Sequence, residues 1–198
     1  MPLRVQPAPA PALRSVHAAL GSPTGLRGTS APPGPPARTG TVQPALPLPL
    51  HVLDGITAAD GPPRTRLTGW RFLLRDAHGT VGAAEATLTA DGWTFSHFCG
   101  GPFITSTETA LARADALPAV YQPRLLSVPE LYMMTLWLHG DTEADASAGV
   151  PAPSDLLVPL APAPPGIAAH RTHRVDALLP LLTRRLVPPA PPLLGTPA

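Results

Sequence analysis

Cys99 is the residue with the most evident chemical potential, because it is the one cysteine in this 198-residue chain. It stands two positions after His97 and directly before Gly100 and Gly101. A neighbouring base can convert a thiol into a nucleophilic thiolate, and His97 or His139 could serve as that base. One hypothesis is therefore a small enzyme that uses Cys99 as its nucleophile.

A structural role explains the same residues. In a strand, His97 and Cys99 fall on one side, together with Trp93 and Phe95. A hydrogen-bonded core histidine and a small buried cysteine fit that pattern, and no motif fixes a partner base. We therefore assign no catalytic residue, and we keep Cys99, His97 and His139 as candidates for the enzyme alternative.

The sequence predicts no metal and no cofactor. His170 and His173 are spaced three residues apart, but two histidines do not complete a zinc shell. A single cysteine excludes an intrachain disulfide and any zinc site built from several cysteines. Lysine is absent, which removes Schiff-base chemistry and the lysine of a phosphate-binding loop.

Two charged residues are candidates for a ligand pocket. Glu85 lies in the middle of a predicted strand among alanines and threonines. If it faces the core it needs a partner, and Arg124 is the candidate. Aromatic residues suggest a second alternative function, a small-ligand carrier with an apolar pocket. Its candidate lining residues are Trp70, Trp93, Tyr132 and Trp137.

Hydrophobic patterning predicts the elements that would position these residues. The organising stretch is residues 122–139, whose apolar segment Leu131–Leu138 predicts a central strand covered on both faces. Residues 70–98 contain three alternating segments separated by turn signals, which predict an antiparallel meander. Thr105 and Glu108 match a capping box, so we expect a helix over residues 105–117. Pro159 predicts an edge strand within residues 155–160, and a last helix follows with Pro180 inside it.

These elements predict an α+β fold, with an antiparallel sheet of about five strands and one or two helices on one face. The chain contains 30 prolines, concentrated near its ends. Residues 1–50 therefore predict a disordered Pro/Ala-rich arm and residues 188–198 a Pro-rich tail, around a single domain over residues 51–187. Within the arm, residues 45–50 alternate leucine and proline, which predicts an extended segment along an edge.

Charge and composition narrow the choice of partner. The net charge is +1 at pH 7, and the arginines are scattered rather than clustered, so we expect no nucleic-acid binding. No segment resembles a membrane span or a signal peptide, so we expect a cytoplasmic protein that does not bind membranes. The interpretation that best fits these features is a non-enzymatic accessory or interaction module whose partner is another protein.

Overall fold

The computed structural model describes residues 3–22, 41–54 and 64–186, and these ranges form an α+β fold. They contain three α-helices and one eight-stranded sheet. The helices are α1 (Ala10–Leu20), α2 (Pro102–Asp115) and α3 (Val175–Leu186). The strands are β1 (Gln43–Asp54), β2 (Arg64–Asp76), β3 (Gly79–Thr89), β4 (Gly92–Cys99), β5 (Gln122–Val128), β6 (Met133–His139), β7 (Leu156–Pro159) and β8 (His173–Arg174).

The sheet has the order β4-β3-β2-β1-β5-β6-β7-β8. Every neighbouring pair is antiparallel except β1 and β5, which run parallel. The predicted α+β class is confirmed, but the estimate of about five strands is too low. The strands that the sequence did not predict are β1, β5 and the two-residue β8, and the helix α1 was not predicted either.

The predicted meander is confirmed as β2, β3 and β4, which pair in sequence order. In β2, Trp70, Phe72 and Leu74 pack in one cluster with α1, as their alternation predicts. The intervening Arg71 and Leu73 face the opposite side, because successive side chains of a strand alternate.

The predicted central strand corresponds to β6, which lies between β5 and β7 and is buried along almost its whole length. The prediction is wrong for the first two residues of the segment. Leu131 belongs to a short 3₁₀ turn, and Tyr132 has a left-handed backbone (φ 50°) and is 90% exposed. Residues 122–139 therefore form two paired strands, the β5–β6 hairpin, and not the single strand that was predicted.

Strand β1 corrects the prediction of a disordered arm over residues 1–50. Pro44, Pro47 and Pro49 lie in the half of β1 that is paired only with β2, whereas its parallel register with β5 is confined to Leu50–Val52. A strand with one neighbour tolerates prolines because one row of its backbone N–H groups needs no partner. Residues 45–50 are extended, as predicted, but they belong to the sheet.

The N-terminal segment also differs from that prediction, because α1 packs on the sheet through the buried residues Ala12 and Val16. Residues 23–40 and 188–198, the remainder of the predicted arm and the tail, lie outside the described residues.

Helices cover both faces of the sheet, whereas one face was predicted. Leu125 packs with residues of α2, and its neighbour Leu126 packs with residues of α3. Consecutive strand residues point to opposite faces, so α2 and α3 lie on opposite sides. Leu48 packs with α2, and its partner Arg71 lies on the same face of the sheet. Trp70 therefore lies on the opposite face, where it packs with α1, so α1 is on the same side as α3.

The predicted helices exist, with one corrected start. α2 begins at Pro102 after Gly101, so Thr105 and Glu108 lie inside the helix and do not form a capping box. α3 accommodates Pro180, as predicted. The strand predicted at an edge, β7, is not the edge of the sheet, because β8 pairs with its residues Leu156 and Leu157; Pro159 lies beyond that pairing. None of the described helices has the length and apolar character required to cross a bilayer.

Candidate functional sites

A bulge in β4 brings Glu85, His97 and Cys99 together. Glu85 pairs with His97 in the β3–β4 register, but Ala86 pairs with Phe95, so Ser96 is an extra residue in β4. The extra residue turns His97 away from the aromatic face that Phe95 shares with α1. One ligand-type atom from each of Glu85, His97 and Cys99 lies within 4.8 Å of the others.

The prediction of which residues surround His97 is therefore wrong. His97 does not lie with Trp93 and Phe95, and its side chain is 57% exposed rather than buried. Its Nε2 lies 3.8 Å from Glu85 Oε2, and its Nδ1 lies 3.0 Å from Ser96 Oγ. His97 and Cys99 do lie on the same side, as predicted.

The environment of Cys99 does not favour a nucleophile. Burial and the nearby Glu85 carboxylate together raise the pKa of the Cys99 thiol to about 12, against an opposite effect of Arg71. At neutral pH the thiol is protonated, and a protonated thiol is a poor nucleophile. His139, the second candidate base, is hydrogen-bonded to Asp155 instead.

Glu85 is buried, and its partner is Arg71 rather than Arg124. The Arg71 Nε and Nη2 donate to Glu85 Oε1 over 2.8 and 2.5 Å, and both side chains are only 9% exposed. The three residues Arg71, Glu85 and His97 thus form a ladder across β2, β3 and β4 on one face of the sheet. Arg71 compensates the charge of Glu85, as a buried carboxylate requires.

Arg124 takes part in a different site, on the face that carries α3. Its side chain is fully buried, and its guanidinium lies 4.8 Å from the centre of the Trp137 ring. It donates to Gln122 Oε1 (2.6 Å), to the carbonyl of Asp145 (3.0 Å) and to the carbonyl of Ala148. Burial lowers the pKa of Arg124 to about 10, so the group remains charged at neutral pH.

Two more buried side chains bond to the same loop, residues 140–155 between β6 and β7. Gln122 Nε2 donates to the carbonyl of Ala144 (2.8 Å), and His51 Nε2 lies 2.9 Å from the carbonyl of Ala146. Burial lowers the pKa of His51 to about 4, so its imidazole is neutral. Nε2 then carries the proton, and Nδ1 accepts from Thr65 Oγ1 over 3.0 Å.

Asp155 closes this loop onto the end of β6. Its Oδ2 accepts hydrogen bonds from Trp137 Nε1 (2.8 Å), His139 Nδ1 (2.7 Å) and Ala152 N (3.0 Å), and its Oδ1 accepts from Gly140 N (3.0 Å). Burial alone would raise the pKa of Asp155, but the hydrogen bonds from His139, Gly140 and Trp137 outweigh it and hold the pKa below its ordinary value. The carboxylate is therefore ionised and acts only as an acceptor.

The four aromatic residues predicted to line one pocket are separated. Trp70 and Trp93 pack with α1, Trp137 packs with α3, and Tyr132 is exposed at the β5–β6 turn. The structure therefore does not bring the four side chains together, and the carrier alternative stays a prediction.

The histidine pair is also divided. His170 Nε2 lies 3.2 Å from Ser106 Oγ on α2, whereas His173 begins β8. Among the described residues, the one set of three side chains placed to hold a metal ion is Glu85, His97 and Cys99.

Sequence reasoning missed His51, Gln122 and Asp155. His51 and Gln122 are both fully buried polar residues in strands, and Asp155 directly precedes one. A buried polar residue in an apolar strand is a signal that could have marked them, but only after β1 and β5 had been recognised as strands.

Comparison with known proteins adds no assignment. No family model matches the chain, and neither the curated proteins nor the solved structures give a match.

Proposed function

We propose that this protein is a non-enzymatic interaction module and that residues 140–155, the β6–β7 loop, form its contact surface for another protein. The observation that carries the proposal is the direction of the buried hydrogen bonds. His51, Gln122 and Arg124 come from two strands, and all three donate to backbone carbonyls of this loop.

These contacts fix the backbone of the loop before any partner arrives. The Thr65 N–H adds a bond to the carbonyl of Gly149 (2.6 Å), and Gln6 Nε2 donates to the carbonyl of Thr142 (3.2 Å). A surface that is already ordered avoids much of the entropy loss that binding otherwise costs. Satisfied buried polar networks also select one conformation over its competitors.

The exposed side chains of the loop indicate a basic partner. Asp141, Glu143 and Asp145 are exposed carboxylates, and Val150 adds an apolar contact with 55% of its surface exposed. Arg4 already forms an ion pair with Glu143 at the surface of the fold. A guanidinium from a partner would meet the same chemistry, and complementary charge promotes both encounter and specificity.

Site-specific photocrosslinking in cells tests where the partner binds. A photoreactive residue at Val150 should capture one protein repeatedly. The same residue at Leu88, which is 57% exposed on β3, is the matched control and should not capture that protein. Equal capture at both positions would contradict the proposal.

The captured protein, once purified, allows a quantitative test. Neutralising the loop with Asp141→Asn and Glu143→Gln should weaken its binding by up to about 30-fold, since each lost rim charge pair contributes up to ~1 kcal/mol. The control carries Asp115→Asn and Glu130→Gln, which remove the same charge from exposed positions elsewhere. Equal affinities of the two variants would refute the loop as the contact surface.

A further inference from the structure

A second cluster, five strand positions away in the sheet from the β6–β7 loop, has a different chemistry. We propose that Glu85, His97 and Cys99 form a binding site for a divalent transition-metal ion of the zinc type. This inference goes beyond the interaction function and does not depend on it.

The three side chains supply the ligand types that zinc prefers. A thiolate, an imidazole nitrogen and a carboxylate oxygen all bind Zn²⁺, whereas Mg²⁺ and Ca²⁺ select oxygen ligands. Their ligand atoms lie within 4.8 Å of one another, so small side-chain rotations bring them onto one ion. Three protein ligands leave the fourth tetrahedral position for a water molecule, which the exposure of His97 allows.

Neighbouring residues already orient two of the ligands. Ser96 Oγ lies 3.0 Å from His97 Nδ1, which leaves Nε2 as the ring atom that faces Glu85. Arg71 donates twice to Glu85 Oε1, so the carboxylate is fixed while Oε2 points toward His97. Partners of this kind hold metal ligands in place and are common around metal sites.

The Cys99 thiol is hydrogen-bonded to Glu85, but the His97 imidazole and the Glu85 carboxylate do not satisfy each other. Glu85 Oε2 and His97 Nε2 are 3.8 Å apart, which is too long for a hydrogen bond. The bulge at Ser96 directly precedes His97, and it moves His97 from the aromatic face to the face that carries Glu85. Bulges next to functional sites often re-aim a side chain in this way.

The anionic ligands would offset most of the charge of the ion. Glu85, a Cys99 thiolate, the paired Arg71 and a divalent cation would together carry a net charge of +1. Zinc binds the thiolate form of cysteine, so a Cys99 thiol must release its proton when the ion binds.

Cobalt and zinc titrations of the full chain test the proposal, after chelator treatment and with a phosphine as reductant. Co²⁺ should bind at one equivalent with thiolate-to-cobalt charge-transfer absorption, and Zn²⁺ should displace it. X-ray absorption at the zinc edge should show one sulfur ligand among nitrogen and oxygen ligands. In weak buffer, zinc addition should release about one proton per site, as deprotonation of one thiol requires.

Variants identify the ligands. Cys99→Ser should abolish the charge-transfer absorption, and His97→Gln should weaken zinc binding by about 100-fold or more, since loss of even an outer partner costs 10- to 100-fold. His78→Gln, in the exposed β2–β3 turn, is the matched control and should bind zinc like the unaltered protein. Circular dichroism verifies that each variant is folded; His97 is exposed, so its replacement removes little packing. Absence of the charge-transfer absorption in the unaltered protein, or unchanged zinc affinity in His97→Gln, would overturn the proposal.

Discussion

Replacing Asp155 by asparagine should destabilise the fold strongly while preserving the shape of the side chain. The carboxylate accepts four hydrogen bonds, three at Oδ2 and one at Oδ1. An amide has one oxygen that accepts and an NH₂ group that only donates. With its oxygen at the Oδ2 position, the NH₂ group would face the N–H of Gly140, and two donors would meet.

The magnitude follows from those four bonds. Losing the Gly140 bond and burying its donor costs roughly 1–3 kcal/mol, and each bond to the remaining oxygen weakens from a charged to a neutral acceptor. Arg124 also loses a nearby negative charge that stabilises its buried guanidinium. We expect the free energy of unfolding to fall by about 3–5 kcal/mol, the range found when one partner of a buried charge pair is removed.

Urea denaturation at pH 7 measures this loss, and the pH dependence adds a second readout. Because the pKa of Asp155 is lowered in the folded protein, its contribution is present above its unfolded pKa near 3.9 and is lost as the pH falls through the folded pKa. The stability difference between the unaltered protein and Asp155→Asn should therefore shrink as the pH falls below about 4. Asp91→Asn, in the exposed β3–β4 turn, is the control and should change stability by less than about 0.5 kcal/mol. A loss below about 1 kcal/mol for Asp155→Asn, or a difference that does not change in acid, would refute the assigned role.

Three further predictions follow from local geometry. Gly149→Ala should lower the free energy of unfolding in urea by about 2 kcal/mol or more, because the added Cβ would lie 2.1 Å from the Thr65 carbonyl oxygen. Gly100→Ala is the control and should lower it far less, because there is open space around Gly100. Equal losses for the two variants would contradict the close approach. A thiol reagent at neutral pH should label Cys99 slowly in the native protein and rapidly in urea, because burial raises its pKa to about 12, and rapid native labelling would contradict that environment. The pKa of His51 is about 4 in the folded state and 6.5 in the unfolded state, so the unfolded chain binds more protons between these pH values. The free energy of unfolding should therefore fall by about 3 kcal/mol as the pH drops from 6.5 to 4. In His51→Gln the fall should be much smaller.

Local patterns were sufficient to predict much of the fold. The alternation in β2 and the glycine turns that follow it determined the meander, since a strand with one apolar side shows a clear period of two. A capping-box match indicated a helix where α2 lies, although Thr105 and Glu108 turned out to lie inside that helix. What failed was the proline-rich β1, because its prolines are tolerated only through a pairing pattern that no local sequence reveals.

The candidate sites were harder to predict because both depend on contacts between distant residues. Glu85 was recognised as a carboxylate that needs a partner, but the cross-strand register, not sequence proximity, selects Arg71. His97 was assigned to the wrong face because strict alternation cannot anticipate the bulge at Ser96. One inserted residue reverses the face of every residue beyond it, so a single missed bulge changed the neighbours of His97 completely.

The two polar sites differ in what their side chains leave available, and this difference supports assigning them different roles. In the β6–β7 loop site, Arg124, Gln122 and Asp155 have their polar atoms directed at groups of the same chain. These polar atoms already make hydrogen bonds that hold the loop backbone in place. Any recognition of a partner must therefore come from the exposed side chains of the loop. In the β3–β4 cluster, Arg71 and the Cys99 thiol hydrogen-bond to Glu85, while His97 Nε2 lies 3.8 Å from Glu85 Oε2, beyond hydrogen-bond distance. The imidazole therefore retains the capacity to bind an ion, which is why we propose partner contact for the loop and metal binding for the β3–β4 cluster.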